Sequence, residues 1–144
     1  MRRFEDLAVG GSASVSLTVG DEEIRRFAEL SGDRNPLHLD DAFAATTLFR
    51  GRIAHGMLSA SLLSTLIGMH LPGTGAVYKS QTLEFLRPVR PGDRLTATGE
   101  ITELDPARNR IAIATRIVNQ DGIEVLRGEA VVGLLRDRTP STDA

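Results

Sequence analysis

Residues His55–His70 read HGMLSASLLSTLIGMH. Apolar residues recur on every side of a helical wheel, with the small residues Ser59, Ala60, Ser61 and Ser64 scattered among them. A helix that is apolar all round belongs in a protein interior, because no face of it suits water. At 1.5 Å per residue it runs about 22 Å, the depth of a small domain's core. The apolar stretch Met57–Leu71 also carries several Ser and Thr and falls short of the ~20 residues a membrane span needs. The helix therefore has to be wrapped by the rest of the chain.

The wrapping is visible as alternation. Ser12–Val19, SASVSLTV, alternates apolar and polar and predicts a strand. Four more strand-like runs follow the central helix: AVYKSQTLEFLRPV (76–89), DRLTATGEITEL (93–104), RIAIATRIVNQ (110–120) and GIEVLRGEAVVGLL (122–135). Between them stand RPGD, DPARN and QDG, which are turn chemistry. In the second run Leu95, Ala97, Gly99 and Ile101 share one face, and Thr96, Thr98, Glu100 and Thr102 the other. Long strands with short turns make an antiparallel sheet. The order β, α, buried α, then four β predicts an α+β fold in which one curved sheet surrounds one central helix. One domain is expected over residues 1–136, with 137–144 as a flexible tail.

Composition excludes several functions. The 144 residues are 41% hydrophobic and 25% charged, as expected of a folded domain. A net charge of −2 carries no nucleic-acid footprint. With no cysteine there is no disulfide, thiol nucleophile or Cys-based metal site. The N-terminal MRRFEDLAVG has no apolar run behind its arginines, so no secretion signal is expected and a cytoplasmic setting is. Of 17 basic residues only Lys79 is lysine. Arginine forks suit phosphates, although codon bias gives the same count.

Between the first strand and the central helix lies the chemistry. GDEEIRRFAELSG (20–32) predicts a helix with acids in its first turn and Gly32 as its stop. Pro36 pushes Asn35 out of helical space, so Gly32–Leu39 is expected as a loop, followed by a short helix in DDAFAATT. On such a loop Asp33 and His38 can converge as an acid/base pair. By spacing alone, the reading in which Asp33 caps a turn and His38 simply packs is ahead of the acid/base pair. Gly56 begins the central helix, where its N–H lacks an intrahelical partner and meets the positive dipole end, suiting a developing oxyanion. It also suits a plain loop-to-helix turn. Ser64, placed on a helix expected to be buried, needs a partner, either Asp33 or its own backbone. His70 ends the helix, where a histidine favours the dipole. His38, Asp40 and His55 are of metal-ligand type, but their spacing matches no metal motif, and no metal is expected.

FAELSGDRNPLHLDDAFAATTLF (27–49) followed by GRIAHGML (51–58) resembles the signature of the (R)-specific enoyl-CoA hydratases, in the MaoC-like dehydratase group. The likeness continues through LPGTGAVYKSQTLEFLRPVRPGDRL (71–95) and RGEAVV (127–132). It implies a hot-dog fold and a homodimer, with two sheets joined edge to edge and an acyl-thioester tunnel near the interface. It implies that Asp33 and His38 are the catalytic dyad and that the Gly56 amide holds the thioester oxygen. Ser64 would stand near the aspartate and Asn35 would orient the dyad loop, with His55 and Met57 flanking Gly56 as further substrate-binding or orienting residues. Some of Leu62–Met69 are expected at the tunnel end. The implied substrate is an acyl-CoA thioester, whose coenzyme A is part of the substrate; no other cofactor, nucleic acid or membrane is expected. The same residues leave room for a (3R)-hydroxyacyl-ACP dehydratase, a hot-dog thioesterase or a non-catalytic thioester-binding module. Arg50, Arg52, Arg87, Arg90 and Arg94 are candidate phosphate contacts for either carrier.

Overall fold

In the computed structural model, which describes residues 1–138, the alternating runs pair into a single antiparallel sheet. Strand β1 (Ser12–Val19) pairs with β4 (Asp93–Asp105), β4 with β5 (Arg110–Val118) and β5 with β6 (Glu124–Leu134). β6 then pairs with β2 (Ala76–Gln81) and with the two-residue β3 (Glu84–Phe85). The order across the sheet is β1-β4-β5-β6-β2. On β4 the face carrying Leu95, Ala97, Gly99 and Ile101 is buried, as its alternation predicts. This is the hot-dog arrangement, α+β, with one helix lying in a curved sheet.

That helix, α4 (Gly56–Thr65), continues through a π turn at Leu66–His70, closed by the Leu71 N–H donating to the Leu66 carbonyl at 2.8 Å. Leu58, Leu62, Leu63 and Leu66 pack on Val19, Leu95, Ala97, Ile117 and Leu126. Farther along, Ile67 and Leu71 join Ile101, Ile111, Ile113 and Val132. Gly99 lets the helix come close: a Cβ there would stand 3.1 Å from both Leu66 and Ile113. Burial is nevertheless one-sided. Met57, Ser61, Ser64, Thr65 and Gly68 face outward in the single chain. One sheet covers one side of a helix, so the expectation of burial all round is corrected.

The run 76–89 is likewise interrupted. β2 is bulged between Tyr78 and Ser80, and the chain turns at Thr82, whose carbonyl crosses so close over Gly128 that a Cβ there would stand 1.8 Å from it. Of the expected tail, 137–144, residues 139–144 lie outside the described residues.

The segment between β1 and α4 folds as three short helices: α1 (Asp21–Ser31), α2 (Pro36–Leu39) and α3 (Asp41–Ala45). Arg52 braces them. Its guanidinium binds Asp21 of α1 at 2.6 Å, Asp41 of α3 at 2.7 Å and the His38 carbonyl of α2 at 3.3 Å.

Candidate active site

Helix α1 ends where expected. Gly32 takes a left-handed φ of +82° and donates to the Ala28 carbonyl at 2.9 Å. Two side-chain turns follow. Asp33 Oδ1 accepts the Asn35 N–H at 3.1 Å, and Asn35 Oδ1 accepts the Leu37 N–H at 3.0 Å. The second of these caps a helical turn, α2, with Pro36 in its first position. This corrects the loop expected over Gly32–Leu39. Proline has no N–H to lose at a helix start and its fixed φ suits one. Pro36 therefore ends one helix and opens another, and His38 rides on the second.

His38 is only 8% exposed. Its Nδ1 lies 2.7 Å from the Ile53 carbonyl. A carbonyl only accepts, so Nδ1 carries the hydrogen and Nε2 of the neutral ring keeps its lone pair. His55, 2% exposed, caps α4 and donates from Nε2 to the Asp33 carbonyl at 3.0 Å. The two imidazoles stack with centroids 3.9 Å apart, and Phe27 meets His55 edge-on at 4.8 Å. Burial holds the His55 pKa below its ordinary value, and nearby His38 adds to that; the bond to the Asp33 carbonyl opposes it. A carboxylate oxygen of Asp33 and one ring nitrogen from each histidine lie within 4.8 Å of one another. Stacked rings send their lone pairs along neighbouring planes rather than to one point, which suits packing better than chelation. Asp40, of the expected ligand types, instead caps α3, accepting the Phe43 N–H at 3.1 Å.

A cavity of about 350 Å³ opens beside this pair. It is lined by His38, Gly56 and Ser59 and by apolar residues that include Phe49, Phe85 and Leu126. Gly56 is the first residue of α4 and is exposed. A Cβ on it would meet the Phe85 ring at 2.7 Å, so the glycine lets that ring lie against the start of the helix.

The remaining candidates disperse. Ser64 is exposed in the single chain, not buried, because it lies on the outward side of α4. Met57, also on that side, is 58% exposed. None of Leu62–Met69 lines this cavity; its walls come from the segment before α4, from Gly56 and Ser59 at the start of α4, from 85–89 and from β6. Among the arginines, Arg52 is committed to its brace, and Arg90 donates to the carbonyls of Phe49, Gly51 and Arg52. Arg87 stands at the cavity wall. Ser59 and Phe85 were not singled out by sequence. Ser59 had only its serine neighbours as company, and Phe85 belonged to a run read as plain strand.

Comparison with known proteins adds a family. The MaoC like domain family matches residues 8–122. The chain is 49% identical to an (R)-specific enoyl-CoA hydratase of Aeromonas caviae, covering 90% of this chain and 97% of that one. It is 47% identical to a 3-hydroxybutyryl-CoA dehydratase of Methylorubrum extorquens, over 90% of this chain and 82% of the relative. Among solved structures, the unliganded R-hydratase PhaJ1 of Pseudomonas aeruginosa superposes with a TM-score of 0.87 at 42% identity, over 98% of this chain and 95% of that one.

Proposed function

Since the chain belongs to the MaoC-like domain family, we propose that it is a hydro-lyase that adds water to trans-2-enoyl-CoA, giving (R)-3-hydroxyacyl-CoA, and runs the reverse dehydration. One observation carries the mechanism. His38, its Nδ1–H tied to Ile53, keeps Nε2 as a free base at a cavity wall, with the Asp33 carboxylate close by. A carboxylate oxygen of Asp33 and a ring nitrogen of His38 lie within 4.8 Å of each other, near enough for one water to be bonded to both groups.

The water is held between Asp33 and His38. Its oxygen attacks C3 of the enoyl thioester while one of the pair takes its proton, and a proton returns to C2. One H and one OH are thus added across the double bond, from one side. Negative charge gathers on the thioester oxygen, which the Gly56 N–H meets at the positive end of α4. Loss of such a donor costs about 2.7–4 kcal/mol of barrier. Asn35 holds the turn that carries both groups. The working unit is a homodimer, supported by the outward face of α4 and by exposed Val77 and Tyr78 on the edge strand β2. Its setting is cytoplasmic. Among the described residues no helix is long and apolar enough to cross a membrane.

Loss of crotonyl-CoA absorbance tests the proposal. Wild-type protein consumes the substrate and releases the (R) product; Asp33→Asn and His38→Ala do not, while remaining folded. An inert wild type, or fully active variants, overturns it. Release of free thiol would mark a thioesterase instead, and preference for acyl-ACP over acyl-CoA would mark the carrier-protein dehydratase.

A further inference from the structure

Among the described residues only two buried side-chain polar atoms lack a hydrogen-bond partner: His55 Nδ1 and Ser59 Oγ. A buried polar atom without a partner is rare and calls for a cause. These two are complementary. Because His55 gives its Nε2 hydrogen to the Asp33 carbonyl, Nδ1 of the neutral ring is a lone pair and can only accept. The Ser59 hydroxyl is a donor. The residues stand one turn apart at the start of α4, where the Ser59 N–H donates to the His55 carbonyl at 3.3 Å. Both are nearly inaccessible, at 2% and 3% exposure.

We propose that in the working enzyme the Ser59 hydroxyl turns about χ1 to donate to His55 Nδ1, so that Ser59 and His55 act together as positioning residues for Asp33. The chain of bonds would run from the cavity wall at Ser59, through the His55 ring, to the backbone of the residue that holds the water. The hydroxyl fixes the His55 tautomer. With the hydrogen on Nδ1 instead, the Nε2 lone pair would face the lone pairs of the Asp33 carbonyl, and the loop would be pushed off its place. It also keeps a neutral ring against His38. A cation there, 3.9 Å from the His38 ring, would oppose any proton His38 takes up in turnover. The charged or titratable side chains identified against His55 are Asp33, from the loop after α1, and His38, from α2; Phe27 of α1 adds only an uncharged edge.

The kinetic half of this inference rests on the hydratase reading; the spectroscopic half does not. Imidazole nitrogen NMR on the wild type at neutral pH should find His55 protonated at Nε2, with a slowly exchanging Ser59 hydroxyl proton close to the His55 ring. Ser59→Ala should move the Nδ1 signal toward that of a free lone pair and lower kcat on crotonyl-CoA about tenfold, the size of one lost hydrogen bond, at unchanged KM. His55→Gln keeps an amide donor for the Asp33 carbonyl and has no tautomer to fix. On that background Ser59→Ala should add no further loss, a coupling only a linked pair gives. A proton on His55 Nδ1, a freely exchanging Ser59 hydroxyl, or an unchanged kcat in Ser59→Ala overturns the proposal. A wild type inert on crotonyl-CoA, but with the expected NMR pattern, would refute the hydratase function and leave the pair standing.

Discussion

The two ends of the central helix are built on opposite plans. At its far end Leu66, Ile67 and Leu71 interlock with Gly99, Ile113 and Ile101 in buried apolar packing. At its near end Gly56 and Ser59 border a cavity, and two buried polar atoms, on His55 and Ser59, lack partners. One end stores stability and the other holds groups in costly places for chemistry. The same helix backbone serves both, so a change at either end should move one property and spare the other.

The largest expected effect lies at the near end. Asp33→Asn or His38→Ala should lower kcat/KM about 10²–10⁴-fold, the usual worth of a proton-transfer group, with little change in Tm. The far end mirrors this: Leu66→Ala should cost about 2–5 kcal/mol in denaturant unfolding and leave kcat per folded molecule unchanged. Two glycines then sharpen the contrast with one kind of substitution. Gly99→Ala presses on Leu66 and Ile113 at 3.1 Å inside the core, and overpacking of this kind costs about 1–3 kcal/mol. Gly56→Ala presses on the Phe85 ring at 2.7 Å, but that ring is 54% exposed and can swing outward. It should therefore leave Tm nearly unchanged and lower the hydration rate.

The smallest effect concerns pH. Burial depresses the pKa of folded His55, whereas the unfolded chain regains the ordinary value of about 6.5. Below that pH the unfolded state takes up a proton the folded state refuses. The stability from a neutral His55 is thus complete above about pH 6.5 and declines as pH falls below it, until the lowered folded value is reached. Thermal unfolding across this window should be steeper in wild type than in His55→Phe. Equal slopes would mean that the ring is not held neutral by the fold.

Most of the frame was legible because its signals are local. Strand β1 has the bounds its alternation predicts, and the helix begins at Gly56 and ends at His70. What escaped depends on distant contacts. The break at Thr82 answers to Gly128 on another strand. The α2 turn answers to Asn35 and Pro36, where proline permits two outcomes and the Asn35 side-chain cap on the Leu37 N–H decides between them. The serine at the cavity wall is Ser59, and Ser64 faces outward, because a helix apolar on every side carries no amphipathic phase. Only the position of the sheet sets which serine turns inward. The acid/base segment was visible as a motif, but the stacking of His38 on His55 was not, since sixteen residues separate them in the chain.

His55 also stands at a seam. It is the last residue of the segment 20–55, which leaves the sheet after β1 and returns to it at α4. Both attachment points belong to the frame, and loop-closure entropy grows only slowly with the length of chain between fixed ends. Such a segment can be lengthened at its exposed turns with little entropic penalty, while Ile24 and Ala54 tie it into the core of the sheet and helix beneath. The architecture is therefore a socket, and the stretch that carries Asp33 and His38 is plugged into it through those contacts, with His55 as the pin on its exit side.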